Sequence, residues 1–275
     1  MEHIIHVVML GLVEGITEFL PVSSTAHLLL TEKFLGFQDT SQLFTVVIQF
    51  GAILAALWYF RADIVALFRG VKQRESRSLA FLRVIAIGLA PALVIGFFVE
   101  LLASIPDNLT LIACTLIAGG IALLMLERWL GKKRLPAKNR AIDYASITPD
   151  KALKIGLVQS LAIIPGVSRS GATIAGGLLL GLNRRTATAF SFFLSVPIMF
   201  AASSLKLLKD GDQLSALEGG VASLLLGMAV ALVSAFVVVK WLLRYVQTHT
   251  FRPFAYYRII LGLVLLGGLY LTSPL

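Results

Sequence analysis

Charged side chains and cysteine are both scarce in this sequence. Only 14% of the 275 residues are charged, whereas an ordinary soluble domain carries about 25%. Cys114 is the only cysteine, which excludes a disulfide within the chain. The N-terminus lacks the basic segment of a cleaved signal peptide, and Glu14 and Glu18 interrupt its apolar stretch. We therefore expect this segment to remain in the protein.

Apolar residues are correspondingly abundant, at 57% of the chain, and the mean hydropathy is +0.87. Because about 20 consecutive apolar residues span a bilayer as a helix, the composition predicts an all-α polytopic membrane protein. We expect a single membrane domain over 1–275 with no soluble domain attached. The formal net charge of +9 fits basic cytoplasmic loops, so nucleic-acid binding is not expected.

Six apolar stretches are predicted to cross the bilayer. They are 43–60, 84–103, 109–129, 186–205, 216–239 and 257–273. Two further apolar regions, 3–36 and 152–182, are cut by polar clusters, and each half is too short to cross alone. These two regions are predicted to be re-entrant helical hairpins.

The basic residues orient the chain. They crowd two connectors, 61–83 and 127–154, which two spans separate. A third basic connector contains Lys240, Arg244, Arg252 and Arg258. The positive-inside rule places all three in the cytoplasm, and it puts the turn at 104–108 and both termini outside. On this count, the first interrupted region enters from outside and the second from the cytoplasm.

The two interrupted regions resemble each other in sequence. GLVEGITEFLPVSST (11–25) aligns without gaps on GLVQSLAIIPGVSRS (156–170), which lies 145 positions later, with five identities. Inverted repeats whose broken helices meet near the midplane are a known membrane architecture. The sequence therefore predicts an inverted-topology repeat with halves at roughly 1–130 and 150–275.

Four ionisable residues lie inside the interrupted regions: Glu14, Glu18, His27 and Arg169. A charged group within a bilayer is costly, so these residues are expected to line a polar cavity with a function. Glu14 and Glu18 are four apart and share a helix face. Ser24 and His27 are three apart and suit a nucleophile and its base. The structural alternative is a capping serine and a histidine bonded to backbone.

The second interruption, PGVSRSGAT (165–173), places Arg169 beside Ser168 and Ser170, either of which can cap the following helix. A helix N-terminus and an arginine fork both bind phosphate. Together with the first region they suit phosphoryl transfer, in which the carboxylates hold a divalent metal or move protons. A lipid-phosphate transporter or flippase that uses the same site is the alternative, because broken inverted repeats are known from transporters.

Two segments, EGITEFLPVSSTAH (14–27) and PGVSRSG (165–171), resemble the signature motifs of the undecaprenyl-pyrophosphate phosphatase family, also known for bacitracin resistance. The resemblance implies hydrolysis of undecaprenyl pyrophosphate to undecaprenyl phosphate in the bacterial cytoplasmic membrane. This reaction recycles the carrier lipid of cell-wall synthesis. It also implies a site that opens to the outer face and depends on Mg²⁺ or Ca²⁺.

The same resemblance implies roles for ten residues. The acidic pair, which would also hold the metal, is Glu14 and Glu18; the nucleophile is Ser24 with Ser23 beside it; the histidine is His27; the phosphate-binding arginine is Arg169, flanked by Ser168, Ser170 and Thr173; and a further polar position is Gln49. Whether His27 or the carboxylates act as acid and base stays open. Small pairs at 119–120 and 176–177 permit close packing, either within one chain or in a homodimer.

Overall fold

The computed structural model describes residues 1–37, 39, 42–102, 108–132, 142–215 and 218–272. The predicted outward turn at 104–108 lies outside these ranges except for residue 108, and so does the stretch 133–141 of the predicted basic connector. Every regular element within the described ranges is helical. The protein is an all-α polytopic membrane protein.

Eleven α-helices are described. They are α1 Glu2–Thr17, α2 Ser24–Leu35, α3 Leu43–Tyr59, α4 Arg61–Lys72, α5 Ser76–Leu102, α6 Leu109–Lys132, α7 Pro149–Gln159, α8 Arg169–Leu179, α9 Arg184–Asp210, α10 Gly220–Tyr245 and α11 Arg252–Thr272. A 3₁₀ turn, Ser160–Ile163, follows α7 directly. The two interrupted regions are therefore the helix pairs α1–α2 and α7–α8.

Five of these helices, α5, α6, α9, α10 and α11, are long and apolar enough to cross a membrane. The pair α3 and α4 is bent by 71° at Phe60 and brings the number to six if it counts as one span. Five or six spans are compatible with the six predicted, whereas the limits of the spans differ. The connector predicted at 61–83 contains α4 and the start of α5, and α11 begins at Arg252 rather than at residue 257.

This earlier start of α11 corrects the assignment of Arg258 to a cytoplasmic connector. Arg258 lies in the second turn of a spanning helix, and only 2% of it is exposed. The positive-inside rule failed here because it counts basic residues near a span and carries no information about their depth.

The order of elements agrees with the predicted duplication. An offset of 145 residues carries α1, α2 and α3 onto α7, α8 and α9, and carries α5 and α6 onto α10 and α11. The packing follows the same pairing, since α1 packs on α10 while α7 packs on α5. In addition, α3 packs on α9 and α6 on α11. Each hairpin is therefore supported by a long helix of the other half.

Glycines allow these helices to approach closely. A Cβ at Gly15 in α1 would overlap the Ser234 hydroxyl on α10, and a Cβ at Gly51 in α3 would overlap the Met228 carbonyl on the same helix. Small residues at such crossings are typical of membrane helices, because packing replaces the hydrophobic effect there. Their positions on α1 and α3 fix both elements to α10.

The two pairs of small residues, 119–120 and 176–177, contact other helices of the same chain. Gly119 and Gly120 face Arg258 and Ala255 on α11. The second pair, 176–177, packs against α7 and α9. Of the two alternatives, packing within one chain is therefore the one observed, and neither pair supports a homodimer.

We expect Gly15→Ala to destabilise the protein, because the added methyl group overlaps α10 and overpacking costs about 1–3 kcal/mol. The measurement is the thermal unfolding midpoint of the detergent-solubilised protein, which should fall by several degrees. Gly96→Ala is the matched control, since no atom lies within 4 Å of its would-be Cβ. An equal midpoint in both variants would contradict the packing of α1 on α10.

Candidate active site

The two helix breaks share one unusual backbone conformation. Ser23 has φ 74° and ψ 98°, and Ser168, its equivalent in the second copy, has φ 70° and ψ 107°. A positive φ is uncommon for a residue other than glycine. Each serine caps the helix that follows, because its Oγ accepts a hydrogen bond from the backbone N–H of Ala26 at 3.5 Å or of Gly171 at 3.1 Å. The helices α2 and α8 thus begin in the same way.

The residues that follow these caps differ in chemistry and meet at Glu18. Ser24 is the first residue of α2, and its hydroxyl donates to Oε2 of Glu18. Arg169 is the first residue of α8, and its Nη2 donates to Oε1 of Glu18 at 2.6 Å. The Arg169 and Glu18 side chains are only 13% and 8% exposed. A buried ion pair therefore joins the two halves of the chain.

Further contacts hold the Arg169 guanidinium in place. Its Nη1 donates to the carbonyl oxygen of Ser191 at 3.3 Å, and Nη2 lies 3.1 Å from the sulfur of Met199. Both of these residues belong to α9. Since α9 and Glu18 approach the guanidinium from different elements, its direction is fixed before any substrate binds.

A cavity of about 240 Å³ opens beside this ion pair. Both helix breaks line it, together with residues of α3, α5 and α9. Its polar lining residues are Glu18, Ser23, Ser24, Thr25, Gln49, Gln159, Ser168 and Arg169. Apolar side chains such as Ile198 supply the rest of the wall. The cavity therefore offers a polar pocket within an otherwise apolar protein.

Two predicted phosphate-binding residues lie behind this lining. The Ser170 hydroxyl donates to the carbonyl of Leu20 at 2.7 Å, and the Thr173 hydroxyl donates to the carbonyl of Arg169 at 2.9 Å. Both side chains are almost fully buried. Their contacts support the two breaks, whereas Ser168 faces the cavity itself.

Glu14 and Gln159 occupy equivalent positions in the two copies, and both are buried. Neither carboxylate oxygen of Glu14 and neither polar side-chain atom of Gln159 has a hydrogen-bond partner among the described residues. Buried polar groups without partners are rare, and each calls for an explanation. Gln159 lines the cavity and was not predicted as a site residue, although its alignment with Glu14 offered the signal.

His27 makes contacts other than the one expected from its spacing. Its Nδ1 lies 2.7 Å from the carbonyl oxygen of Ser23, and its Nε2 lies 2.7 Å from the hydroxyl of Tyr257. Because a carbonyl only accepts, Nδ1 carries the proton and Nε2 faces the tyrosine hydroxyl. Ser24 bonds to Glu18 instead of His27. The histidine is held by a residue of α11, which no local spacing could reveal.

Comparison of the sequence with known proteins shows the family to which the chain belongs. The family model described as bacitracin resistance protein BacA matches residues 7–264. "Undecaprenyl-diphosphatase 1" of Burkholderia ambifaria is 46% identical over 267 residues, which cover 94% of this chain and 93% of the relative. "Undecaprenyl-diphosphatase" of Burkholderia mallei is 45% identical over 268 residues, with the same coverage. The resemblance of the two sequence motifs is thereby confirmed, and the chain belongs to the bacitracin resistance protein BacA family.

Proposed function

We propose that this protein hydrolyses undecaprenyl pyrophosphate and releases inorganic phosphate and undecaprenyl phosphate. The names of its relatives support the substrate. In the structure, the supporting observation is the pair of contacts at Glu18, one from the Ser24 hydroxyl and one from the Arg169 guanidinium. A hydroxyl, a carboxylate and a cation at one cavity suit a phosphatase with a serine nucleophile.

The chemistry begins at Ser24. Its Oγ attacks the terminal phosphorus of the diphosphate while its proton passes to Glu18, which already accepts that hydrogen bond. The bond from this phosphorus to the bridging oxygen breaks, and undecaprenyl phosphate leaves. Glu18 passes that proton to the departing undecaprenyl phosphate and becomes a carboxylate again. Water then attacks the phosphoserine while Glu18 takes one of its protons. The bond from phosphorus to Ser24 Oγ breaks, Oγ receives the proton from Glu18, and inorganic phosphate departs.

Arg169 and the two helix ends stabilise the charge that this attack develops. The substrate phosphate competes with Glu18 for the guanidinium, and the exchange frees the carboxylate oxygen that the ion pair holds. The N-termini of α2 and α8, where Ser24 and Arg169 stand, add the partial positive charge of helix ends. His27 faces Tyr257 and not the nucleophile, so we assign the first proton transfer to Glu18.

Glu14 and Glu18 are the residues that would hold a divalent cation, Mg²⁺ or Ca²⁺. The carboxylate of Glu14 is buried, has no hydrogen-bond partner among the described residues and lies one helical turn from Glu18, behind the residues that line the cavity. Among the described residues, no group of three or more His, Cys, Asp or Glu side chains is placed to hold a metal. Mg²⁺ is commonly bound by one or two carboxylates together with substrate phosphates, so two acidic residues suffice. The bound cation would neutralise charge on the diphosphate.

The setting of the site suits a lipid substrate. The cavity lies between membrane-spanning helices, where a polyprenyl chain can remain in the bilayer while its diphosphate enters. The basic connectors support a site that opens to the outer face of the bacterial cytoplasmic membrane. Recycling of the carrier lipid for cell-wall synthesis, and with it bacitracin resistance, would follow from this activity.

We expect Glu18→Gln and Arg169→Ala each to lower phosphate release by about 10²–10³-fold, because each removes a charge that acts on the reacting groups. The measurement is inorganic phosphate released from undecaprenyl pyrophosphate by the purified protein. Arg244→Ala removes an exposed arginine at the end of α10 and should retain activity. Full activity in both site variants would refute the proposed site.

The nucleophile is tested separately by trapping the covalent intermediate. Substrate labelled in its terminal phosphate should leave label on Ser24 after an acid quench, and Ser24→Ala should show neither label nor turnover. Thr31→Ala removes a hydroxyl from the same helix, outside the cavity, and should retain the label. Undiminished hydrolysis by Ser24→Ala would exclude this role.

Transport of a lipid phosphate through the same cavity is the alternative, because the broken helices are duplicated. A hydrolysis-resistant analogue of the substrate, with a methylene bridge between its phosphorus atoms, separates the two activities in proteoliposomes. We expect phosphate release from the natural lipid and no protein-dependent crossing of the analogue. Crossing without any hydrolysis of the natural lipid would favour the transporter.

A further inference from the structure

Arg258 makes an unusual set of contacts for a cation inside a membrane protein. It is 2% exposed, and its four described hydrogen bonds all go to backbone carbonyls. Nη1 donates to Pro21 at 3.3 Å, and Nη2 donates to Gly166 at 3.0 Å. Thr115 and Leu116 of α6 accept from Nη2 and Nε at 3.2 and 3.4 Å. One side chain thus binds three separate segments of the chain.

Two of these acceptors are equivalent by the repeat. Pro21 and Gly166 are 145 residues apart, and each stands two residues before a cap serine of positive φ, Ser23 or Ser168. Carbonyls at a helix break have no partner in a following helical turn. Arg258 satisfies the same carbonyl in both breaks, and it therefore holds the two breaks at a fixed separation.

Helix α6 completes the socket around this guanidinium. Gly119 has no side chain where the guanidinium lies, and a Cβ at that position would overlap Nη2 of Arg258. Thr115 also donates from its hydroxyl to the carbonyl of Pro165 at 2.7 Å, in the second break. The socket is thus built from α6, α11 and both breaks.

Arg258 does not line the cavity, but its guanidinium lies next to the first turn of α8, which does. Its Nη1 lies 3.1 Å from the point where a Cβ of Gly171 would stand, in the first turn of α8. A guanidinium directs five N–H donors from three nitrogens in a rigid planar fork, whereas the ammonium of a lysine offers three donors from a single nitrogen on a flexible stem. Burying a charge that is not paired with a carboxylate is costly. If this position only filled space in the core, we would expect an apolar residue there instead of Arg258.

We propose that Arg258 is a positioning residue that holds the two breaks together and so sets the spacing between Ser24 and Arg169. These two residues follow the breaks directly, as the first residues of α2 and α8. The kinetic consequence rests on the proposed hydrolase function. The positioning itself is measurable without substrate, so the two proposals can fail independently.

The test uses two ways of disturbing the socket, each with a matched control. Arg258→Lys keeps the charge and loses the fork, and Gly119→Ala keeps Arg258 and displaces its guanidinium. Arg252→Lys changes an exposed arginine of the same helix, and Gly131→Ala adds a methyl group to α6 where the nearest atom is 3.8 Å away. All variants are compared as full-length protein, with activity scaled to the monodisperse folded fraction.

The first readout is the division of the effect between kcat and KM. A displacement of the reacting groups by about 1 Å can cost about 100-fold in rate, so we expect kcat of Arg258→Lys and Gly119→Ala to fall by about 10- to 100-fold. The KM should change little, because neither Arg258 nor Gly119 lines the cavity. A merely structural role would lower the folded fraction and leave kcat of the folded protein unchanged.

The second readout is amide hydrogen exchange without substrate. We expect faster exchange in peptides over 17–26 and over 162–171 together in both socket variants, and wild-type exchange in both controls. Wild-type exchange in either break, or a kcat within about twofold of wild type in both socket variants, would overturn the proposal. If wild-type protein released no phosphate, the proposed function would fail, and the exchange data alone would then decide whether Arg258 joins the breaks.

Discussion

The ion pair between Glu18 and Arg169 is the contact on which the site depends. Each partner comes from a different half of the chain, so the pair forms only when both helix breaks meet. In apolar surroundings either charge alone would be strongly destabilising, since loss of one partner leaves the other buried and unpaired. The same carboxylate accepts a hydrogen bond from Ser24 of its own half, so the Glu18 side chain contacts both the hydroxyl and the guanidinium.

The two copies of the repeat share the residue that the backbone of each break requires. They differ in the next residue, whose side chain contacts Glu18. Ser23 and Ser168 retain the same residue and the same positive φ, because each must cap a helix after a sharp break. Immediately after them, Ser24 in one copy corresponds to Arg169 in the other. A strictly symmetric pair of breaks would bring two arginines or two serines together. Divergence instead supplies a hydroxyl from one side and a cation from the other.

Local patterns predicted the two breaks and two of the residues that line the cavity, Glu18 and Arg169. Glu14 and His27, which were predicted with them, are not among its lining residues. Glu18 and Arg169 were predictable because an ionisable residue within an apolar stretch is costly and indicates a functional site. This inference does not require knowing which residue each one contacts. What the sequence could not reveal were contacts between distant segments. His27 was paired with Ser24 on spacing alone, while its hydrogen bond to Tyr257 crosses 230 positions. Arg258 was taken for a loop residue because charge counting ignores depth.

The two buried arginines, Arg258 and Arg169, differ in the groups that bind them. This difference separates a structural role from a role in binding phosphate. Arg258 is surrounded by backbone carbonyls, which an incoming phosphate cannot displace without opening both breaks. Arg169 is paired with a carboxylate at the edge of the cavity, and a phosphate can take over that interaction. One cation can therefore keep the breaks in register through a catalytic cycle while the other exchanges partners. If Arg169 were held by backbone carbonyls, it could not bind phosphate. If Arg258 were paired with a carboxylate beside the cavity, phosphate binding could release the two breaks.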